Sequence, residues 1–222
     1  MYHYISDPPP DADSIRRDLS VSPRDFEAQL AYLKAAGYTS ITLGDLVGYL
    51  LMGNPLPPKP VLLTFDDGYI DNFLYAFPLL RQYGYSGTFF VITQLLDEHN
   101  ANYMSWEQVQ LMAENGMAIE SHSVSHEDLR TLGAAELKWQ VQASREALEA
   151  HLHKPVRFFA YPFGHYNQTI IRAVQGAGYV AAVTTEAGVQ HSAAALYGLD
   201  RIRIHGGTDL VKFKQTMEYW AP

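Results

Sequence analysis

Two pairs of residues carry the sharpest chemical signal in this chain. Asp66 and Asp67 are adjacent carboxylates that follow the apolar run Val61-Leu62-Leu63-Thr64-Phe65. Buried side by side without a partner they repel, and a divalent cation or an arginine relieves that repulsion. His122 and His126 lie four residues apart, so their imidazoles can share one face and one ion. Each pair alone has an ordinary explanation: an acidic turn before Gly68, and a polar loop with two incidental histidines. Together they supply two imidazole nitrogens and a carboxylate, a common catalytic zinc set with a fourth position left for water. Such an ion lowers the pKa of water toward about 7 and polarises a carbonyl. Adjacent residues project differently, so one aspartate can hold the ion while its neighbour serves as general base. The helical zinc-protease pattern is absent, because no Glu follows His122.

These residues need elements that bring them together. Ser22-Pro23 caps a helix whose apolar positions Phe26, Leu30, Leu33 and Ala36 recur at helical spacing and which ends at Gly37. A strand is expected over 39–43, a helix over 44–52 and a Pro-rich turn over 54–60. Val61 to Phe65 is short, apolar and β-prone, as a strand buried on both faces must be. Helices are expected over 73–83, 105–115, 134–152, 168–176 and 209–219. Strands are expected over 87–93, 117–121, 158–161 and 180–184, with another over 202–204. Residues 8–20 read as an exposed loop. Strand and helix alternate throughout, which predicts a parallel sheet covered by helices. Seven or eight such units favour an α/β barrel in one domain, 1–222. In such a barrel the chemistry gathers at the C-terminal strand ends. Asp66, Asp67 and Tyr69, then His122 and His126, then Tyr161, Pro162 and Phe163 all follow predicted strands. His3 lies in an opening strand-like segment, and Arg201, Arg203 and His205 lie near the last one.

Composition removes several function classes. At 222 residues, 47% hydrophobic and 18% charged, the chain is an ordinary globular sequence rather than a disordered or fibrous one. The net charge of -8 argues against broad nucleic-acid binding. With no cysteine there is no disulfide, thiolate ligand or cysteine nucleophile. No apolar run reaches the ~18 residues of a membrane span. No glycine-rich dinucleotide fingerprint follows a strand. The opening Met1-Tyr2-His3-Tyr4 has no charged or apolar leader region, so no signal peptide is visible. Tyr2 to Ile5 reads as the end of a strand whose first residues have been trimmed away.

Three motifs then meet a known pattern. Thr64-Phe65-Asp66-Asp67-Gly68-Tyr69, His122-Ser123-Val124-Ser125-His126 and Phe159-Ala160-Tyr161-Pro162-Phe163-Gly164 resemble those of the polysaccharide deacetylases, the NodB-homology domain of carbohydrate esterase family 4. The resemblance covers nearly the whole chain. It implies a distorted (β/α)7-type barrel and metal-dependent removal of acetyl groups, mostly N-acetyl groups of glucosamine polymers. It implies Asp66 as catalytic base, Asp67, His122 and His126 as metal ligands, and the Phe163 N–H as an oxyanion donor. Tyr69, Tyr161, Pro162 and Phe163 then border the sugar groove. Trp106, with Tyr103 beside it on the expected active face, is read as a sugar-facing ring, with inward packing of its helix as the alternative. The metal is most simply Zn2+, with Co2+, Ni2+, Mn2+ or Fe2+ acceptable to the same ligands. The implied partner is a polysaccharide or oligosaccharide, with no nucleic acid, and the implied location is extracellular, periplasmic or cell-envelope associated.

Two departures from the family pattern matter. Many members carry an arginine in the Pro-containing motif, where Ala160 and Tyr161 stand here. Arg201 is the candidate substitute and Arg203 the second choice. Many members also carry a general-acid histidine on the last strand. This chain instead opens like the permuted branch that includes the poly-β-1,6-N-acetylglucosamine deacetylases. There the first strand supplies that histidine, so His3 is the first choice and His205 the runner-up. His99, His151, His153 and His191 are read as incidental, and His165, near the Pro-Phe-Gly turn, as a loop residue first, with contact to substrate as the alternative.

Overall fold

Short runs, mostly apolar, become the strands of a five-stranded parallel sheet that is buried almost throughout, as a helix-covered parallel sheet requires, while two short strands outside it are partly exposed. The computed structural model describes residues 1–220. The strands are β1 Thr39–Ser40, β2 Pro60–Val61, β3 Thr64–Phe65, β4 Thr88–Val91, β5 Ala118–Ser121, β6 Phe158–Ala160 and β7 Ala181–Val183. The helices are α1 Ser14–Asp18, α2 Pro23–Ala35, α3 Leu43–Met52, α4 Phe77–Tyr83, α5 Thr93–Asp97, α6 Trp106–Glu114, α7 Ala134–Leu152, α8 Gln168–Gly176 and α9 Leu210–Trp220. Strands β3 to β7 form one parallel sheet in sequence order, and β1 pairs with β2. That is the alternating α/β pattern expected from the sequence.

The two edges of the main sheet are joined by irregular extended chain. Tyr2 pairs with Phe65: the Tyr2 N–H donates to Thr64 O at 2.8 Å, and the Asp66 N–H donates to Tyr2 O at 3.0 Å. On the far edge Leu199 pairs with Val183, its N–H reaching Ala182 O at 3.0 Å. The segment beyond Leu199 then meets the first residue, with the Ile204 N–H donating to Met1 O at 3.0 Å. The sheet therefore closes into a distorted barrel. Residues 202–204, expected as a strand, hold the seam through these bonds without forming a regular ladder.

Alternate residues face opposite sides of the sheet. Phe90, Phe158, Ala160, Ala181 and Val183 pack together with Leu43 and Val47, so α3 lies against the inner face. Phe89, Val91, Ile119, Phe159 and Ala182 pack on the surrounding helices, with Leu30, Leu33, Val141 and Leu148 among their partners. Burying each such side chain stabilises the fold by roughly 1.5–3 kcal/mol.

Local chemistry sets the helix ends. Ser22 accepts from the Asp25 N–H and Pro23 opens α2, as expected. Thr42 caps α3 in a capping box with Asp45, so the chain expected as strand to residue 43 leaves β1 early. The run 61–65 is divided at Leu62-Leu63, because Pro60–Val61 pairs with β1 while Thr64–Phe65 pairs with β4. The helix expected from residue 73 begins as a π-wound turn, Asn72–Ala76, before α4. Part of the expected loop 8–20 is α1, capped by Asp13. Helix α5 follows β4 directly and was not anticipated.

Candidate active site

The loops after β3, β5 and β6 carry three groups of side chains to one end of the barrel. Asp66 and Asp67 follow β3, and the turn is sharp: Asp67 has φ 74° and Gly68 φ 80°. A side chain at Gly68 would press on Val91, so both backbone and space demand glycine there. After β5, Ser123 (φ 66°) and His126 (φ 59°) are also left-handed, and Phe163 (φ 59°) is so after β6. A non-glycine residue in that region is uncommon and costs energy that surrounding contacts must supply.

Those contacts are present. The buried Gln140 of α7 accepts from the Val124 and Ser125 N–H groups at 3.1 and 3.0 Å. The Ser123 hydroxyl accepts from the His126 N–H at 3.0 Å, and Ser121 Oγ accepts from the Ser123 N–H at 3.3 Å. The loop that carries both histidines is thereby fixed.

Asp67, His122 and His126 converge, with one potential ligand atom from each within 4.8 Å of the others. Asp67 Oδ1 lies 3.3 Å from His122 Nε2 and 3.6 Å from His126 Nε2. A tetrahedral ion with ligands at about 2.0–2.2 Å has edges of about 3.3–3.6 Å, which both Asp67–histidine separations match. His122 Nδ1 lies 2.8 Å from Ala160 O, which can only accept, so Nδ1 carries a proton and Nε2 faces the set. Burial, then the His122 charge, lowers the His126 pKa to about 4, which leaves its imidazole neutral as a ligand must be. Burial would raise Asp67, but the His122 hydrogen bond and the neighbouring histidines hold its carboxyl below the usual range. These three are the metal residues expected from the sequence, and the fold brings them together.

Asp66 sits beside that set and is held by Arg201. Both Arg201 Nη atoms donate to the Asp66 oxygens at 2.7 Å, and both residues are buried. Arg201 Nε donates to Thr184 O at 2.8 Å, and Nη1 reaches Thr64 Oγ1 at 3.2 Å. Burial pushes the Asp66 pKa up, but the Arg201 charge and its hydrogen bonds outweigh this and hold the carboxyl well below the carboxylate range. Arg203 is half-buried and makes no hydrogen bond with Asp66 among the described residues.

His3 is 8% exposed, and its pKa is lowered by burial against the pull of Asp66 and Asp67. Its carbonyl accepts from Asn72 Nδ2 at 2.8 Å. His205, the alternative, is exposed and pairs with Asp18 at 3.0 Å.

The Phe163 N–H donates to no described residue, while its carbonyl accepts from Thr185 Oγ1 at 3.3 Å. Its ring is 54% exposed and meets the His126 ring edge-on, with centroids 4.6 Å apart. Tyr161 and Pro162, expected as walls of a groove, are buried instead. The Tyr161 hydroxyl is spent on Tyr197 O at 3.0 Å. The physical reason is the left-handed turn at Phe163, which sends that one ring outward and its neighbours in. Trp106, also expected at the groove, is core: it is 7% exposed, donates to Asp97 at 2.9 Å and stacks on His151. Tyr69 lies between Tyr4 and Tyr103, at centroid distances of 3.5 and 5.0 Å.

Gln140, Ser121, Ser123, Thr64 and Asn72 were missed by sequence reasoning. Gln140 had a signal: it is a polar residue inside the buried stripe Leu137, Val141, Ser144 and Leu148 of α7.

A parallel barrel with an Asp/His/His set and a second aspartate at its strand ends defines the polysaccharide deacetylase class, hydrolases of non-peptide carbon–nitrogen bonds. The chain belongs to the polysaccharide deacetylase family, whose model matches residues 53–182. The Bacillus subtilis protein YxkH is 32% identical over 207 residues, which cover 93% of this chain and 71% of that one. The poly-β-1,6-N-acetyl-D-glucosamine N-deacetylase of Staphylococcus epidermidis is 29% identical, over 73% of this chain and 60% of that one. The Streptococcus pyogenes deacetylase PplD, solved in complex with acetate, superposes with a TM-score of 0.90 at 31% identity, covering 98% of this chain and 96% of that one. Among the described residues no helix is long and apolar enough to cross a membrane.

Proposed function

We propose that this protein removes N-acetyl groups from an N-acetylglucosamine-containing polysaccharide: poly-β-1,6-linked, peptidoglycan or chitin-like. The convergence of Asp67, His122 and His126 beside the Arg201-held Asp66 carries the reading. Asp67, His122 and His126 would hold a divalent ion, zinc first. When bound, that ion supplies Lewis acidity toward water and the acetyl carbonyl. Asp66 takes the proton of the attacking water as general base, and Arg201 keeps it ionised and aimed. The free Phe163 N–H donates to the oxygen that becomes negative in the tetrahedral transition state. His3, whose charged form is opposed by burial but favoured by both neighbouring aspartates, is the group that, once protonated, gives a proton to the departing amine. The products are acetate and a free glucosamine nitrogen. A polymer of this class belongs to the cell envelope or its surroundings, which sets the location proposed for the protein.

The test is acetate release from β-1,4- and β-1,6-linked N-acetylglucosamine oligomers by metal-stripped protein, with and without added zinc. Zinc-dependent release is expected, and the preferred linkage names the polymer. Zinc binding without release from either series overturns the N-deacetylase reading. Release from O-acetylated xylan alone makes the protein an esterase.

A further inference from the structure

The loop that carries His126 continues into a cluster of polar side chains with no part in the chemistry above. Asp128 and Arg130 form a forked pair, with Arg130 Nε and Nη2 donating to the carboxylate at 3.0 and 2.7 Å. Asp128 also accepts from the Arg130 backbone N–H at 3.1 Å, so the turn Leu129–Thr131 builds the pair locally. His165, from the loop after β6, closes the cluster: its Nδ1 lies 2.7 Å from Arg130 Nη2 and 3.1 Å from Asp128 Oδ2. The shorter contact makes Nδ1 an acceptor, which leaves the proton on Nε2. Two separate loops, after β5 and after β6, therefore converge on one rigid group of donors and acceptors.

The cluster adjoins the candidate active site through a single aromatic ring. The Phe163 ring meets His126 at 4.6 Å on one side and His165 at 5.8 Å on the other. A ligand crossing that ring thus passes from the metal-type residues to the cluster. Arg130 Nη1 has no partner among the described residues, and the side chains of Arg130 and His165 are 46% and 42% exposed. Open to solvent are the Nη1 donors of Arg130, the Nε2–H of His165 and the remaining lone pairs of Asp128. The guanidinium and carboxylate charges offset each other, so the cluster is no anion trap. An exposed apolar ring edged by fixed donors and acceptors suits a neutral pyranose, whose C–H face is apolar and whose rim is hydroxyl.

We propose that Asp128, Arg130 and His165, with the exposed ring of Phe163, form a sugar-binding subsite that holds the glycan unit next to the one losing its acetyl group. The assignment rests on the deacetylase reading and names its substrate as a chain, gripped through the hydroxyl and acetamido groups of a neighbouring residue.

The experiment compares the zinc-loaded protein with its Arg130→Ala and His165→Ala variants on N-acetylglucosamine oligomers from monomer to pentamer. The parent protein should gain kcat/KM with chain length. Each variant should lose on the order of tenfold on the pentamer, the scale of one charge-assisted hydrogen bond, with the loss in KM and a smaller loss on the monomer. Equal losses at every length, or none in either variant, overturn the subsite. So does a loss confined to glycans that carry carboxylate substituents, which would make the cluster an anion site. If no oligomer yields acetate, the deacetylase reading fails and calorimetric binding of the pentamer decides the subsite alone. A tenfold weaker affinity in Arg130→Ala then sustains it, and an unchanged affinity overturns it.

Discussion

Arg201 grips Asp66 with both prongs of its guanidinium at 2.7 Å, across 135 residues of sequence. The pair spans the seam where the chain beyond Leu199 meets the N-terminal segment beside β3. Thr184 O and Thr64 Oγ1 take further donors of the same guanidinium, so it is tied to both sides of the gap. One buried pair thus bridges the seam that the backbone bonds close and fixes the carboxylate beside the metal-type residues.

Removing one partner leaves the other buried and charged without compensation. Arg201→Ala should cost about 3–5 kcal/mol of stability, read as a drop in the urea midpoint of the metal-free protein. Asp66→Asn should also destabilise, because it leaves the buried Arg201 guanidinium without a countercharge, although the amide oxygen still accepts one of its hydrogen bonds. On turnover Asp66→Asn should lose on the order of 10²–10⁴-fold in kcat while still binding zinc. Turnover near the parent value would remove Asp66 from the role of base.

Two histidines compete for the acid, and their surroundings differ. His3 is buried beside the aspartates, whereas His205 is exposed and tied to Asp18. His3→Gln should lower kcat on the order of 10²–10⁴-fold with zinc affinity unchanged, and His205→Ala should stay within about twofold, since it makes no contact with the site. Steady-state kinetics on one oligomer checks both, and the reverse ranking would move the acid to His205.

Much of this was legible in the sequence because it is written locally. Asp66-Asp67-Gly68 after an apolar run, and two histidines one turn apart, announce a site without any knowledge of the fold. Alternating short apolar runs and amphipathic segments announce the barrel. Arg201 was reachable only as a need: the Pro-containing motif lacks an arginine, and another had to stand in. What sequence could not show was direction. Tyr161, Pro162 and Phe163 are consecutive, and a single left-handed residue decides which of them faces out. Trp106 read equally as a sugar platform or as packing, and only the structure decides: its indole is claimed by Asp97 and His151 from other elements. The seam of the barrel was equally hidden, because isolated backbone bridges leave no period of two to detect.

Gln140 makes a test of the shell around the ligands. Its amide accepts from two consecutive backbone N–H groups of the histidine loop. Gln140→Ala leaves those groups unpaired and frees a loop already held in left-handed conformations. Zinc affinity should fall about 10–100-fold, measured by competition with a chromophoric chelator. Affinity equal to the parent would mean that Ser121 and Ser123 hold the loop by themselves.

Glu120 contributes to the pH dependence of stability in the neutral range. It is buried on β5 and its carboxylate oxygen accepts from the Arg157 and Phe158 N–H groups at 2.9 and 2.8 Å. Burial nonetheless dominates and raises its pKa from 4.5 to about 8. Between those values the folded chain holds a proton that the unfolded chain has released. Its contribution is therefore full below pH ~4.5 and is lost as the pH rises toward 8, at no more than about 1.4 kcal/mol per unit. Asp66, depressed rather than raised, works in the opposite window, and its contribution is lost as the pH falls below the carboxylate range. His122, raised by its carboxylate neighbours, slopes in the same direction as Glu120 above its ordinary value of 6.5. The comparison must therefore be between parent and Glu120→Gln, which keeps an oxygen for both N–H groups and cannot ionise. Urea unfolding of the metal-stripped proteins at pH 5.5 and pH 8 should show the parent losing more stability than the variant. Parallel losses in the two proteins would mean that Glu120 titrates near its ordinary value in the folded chain.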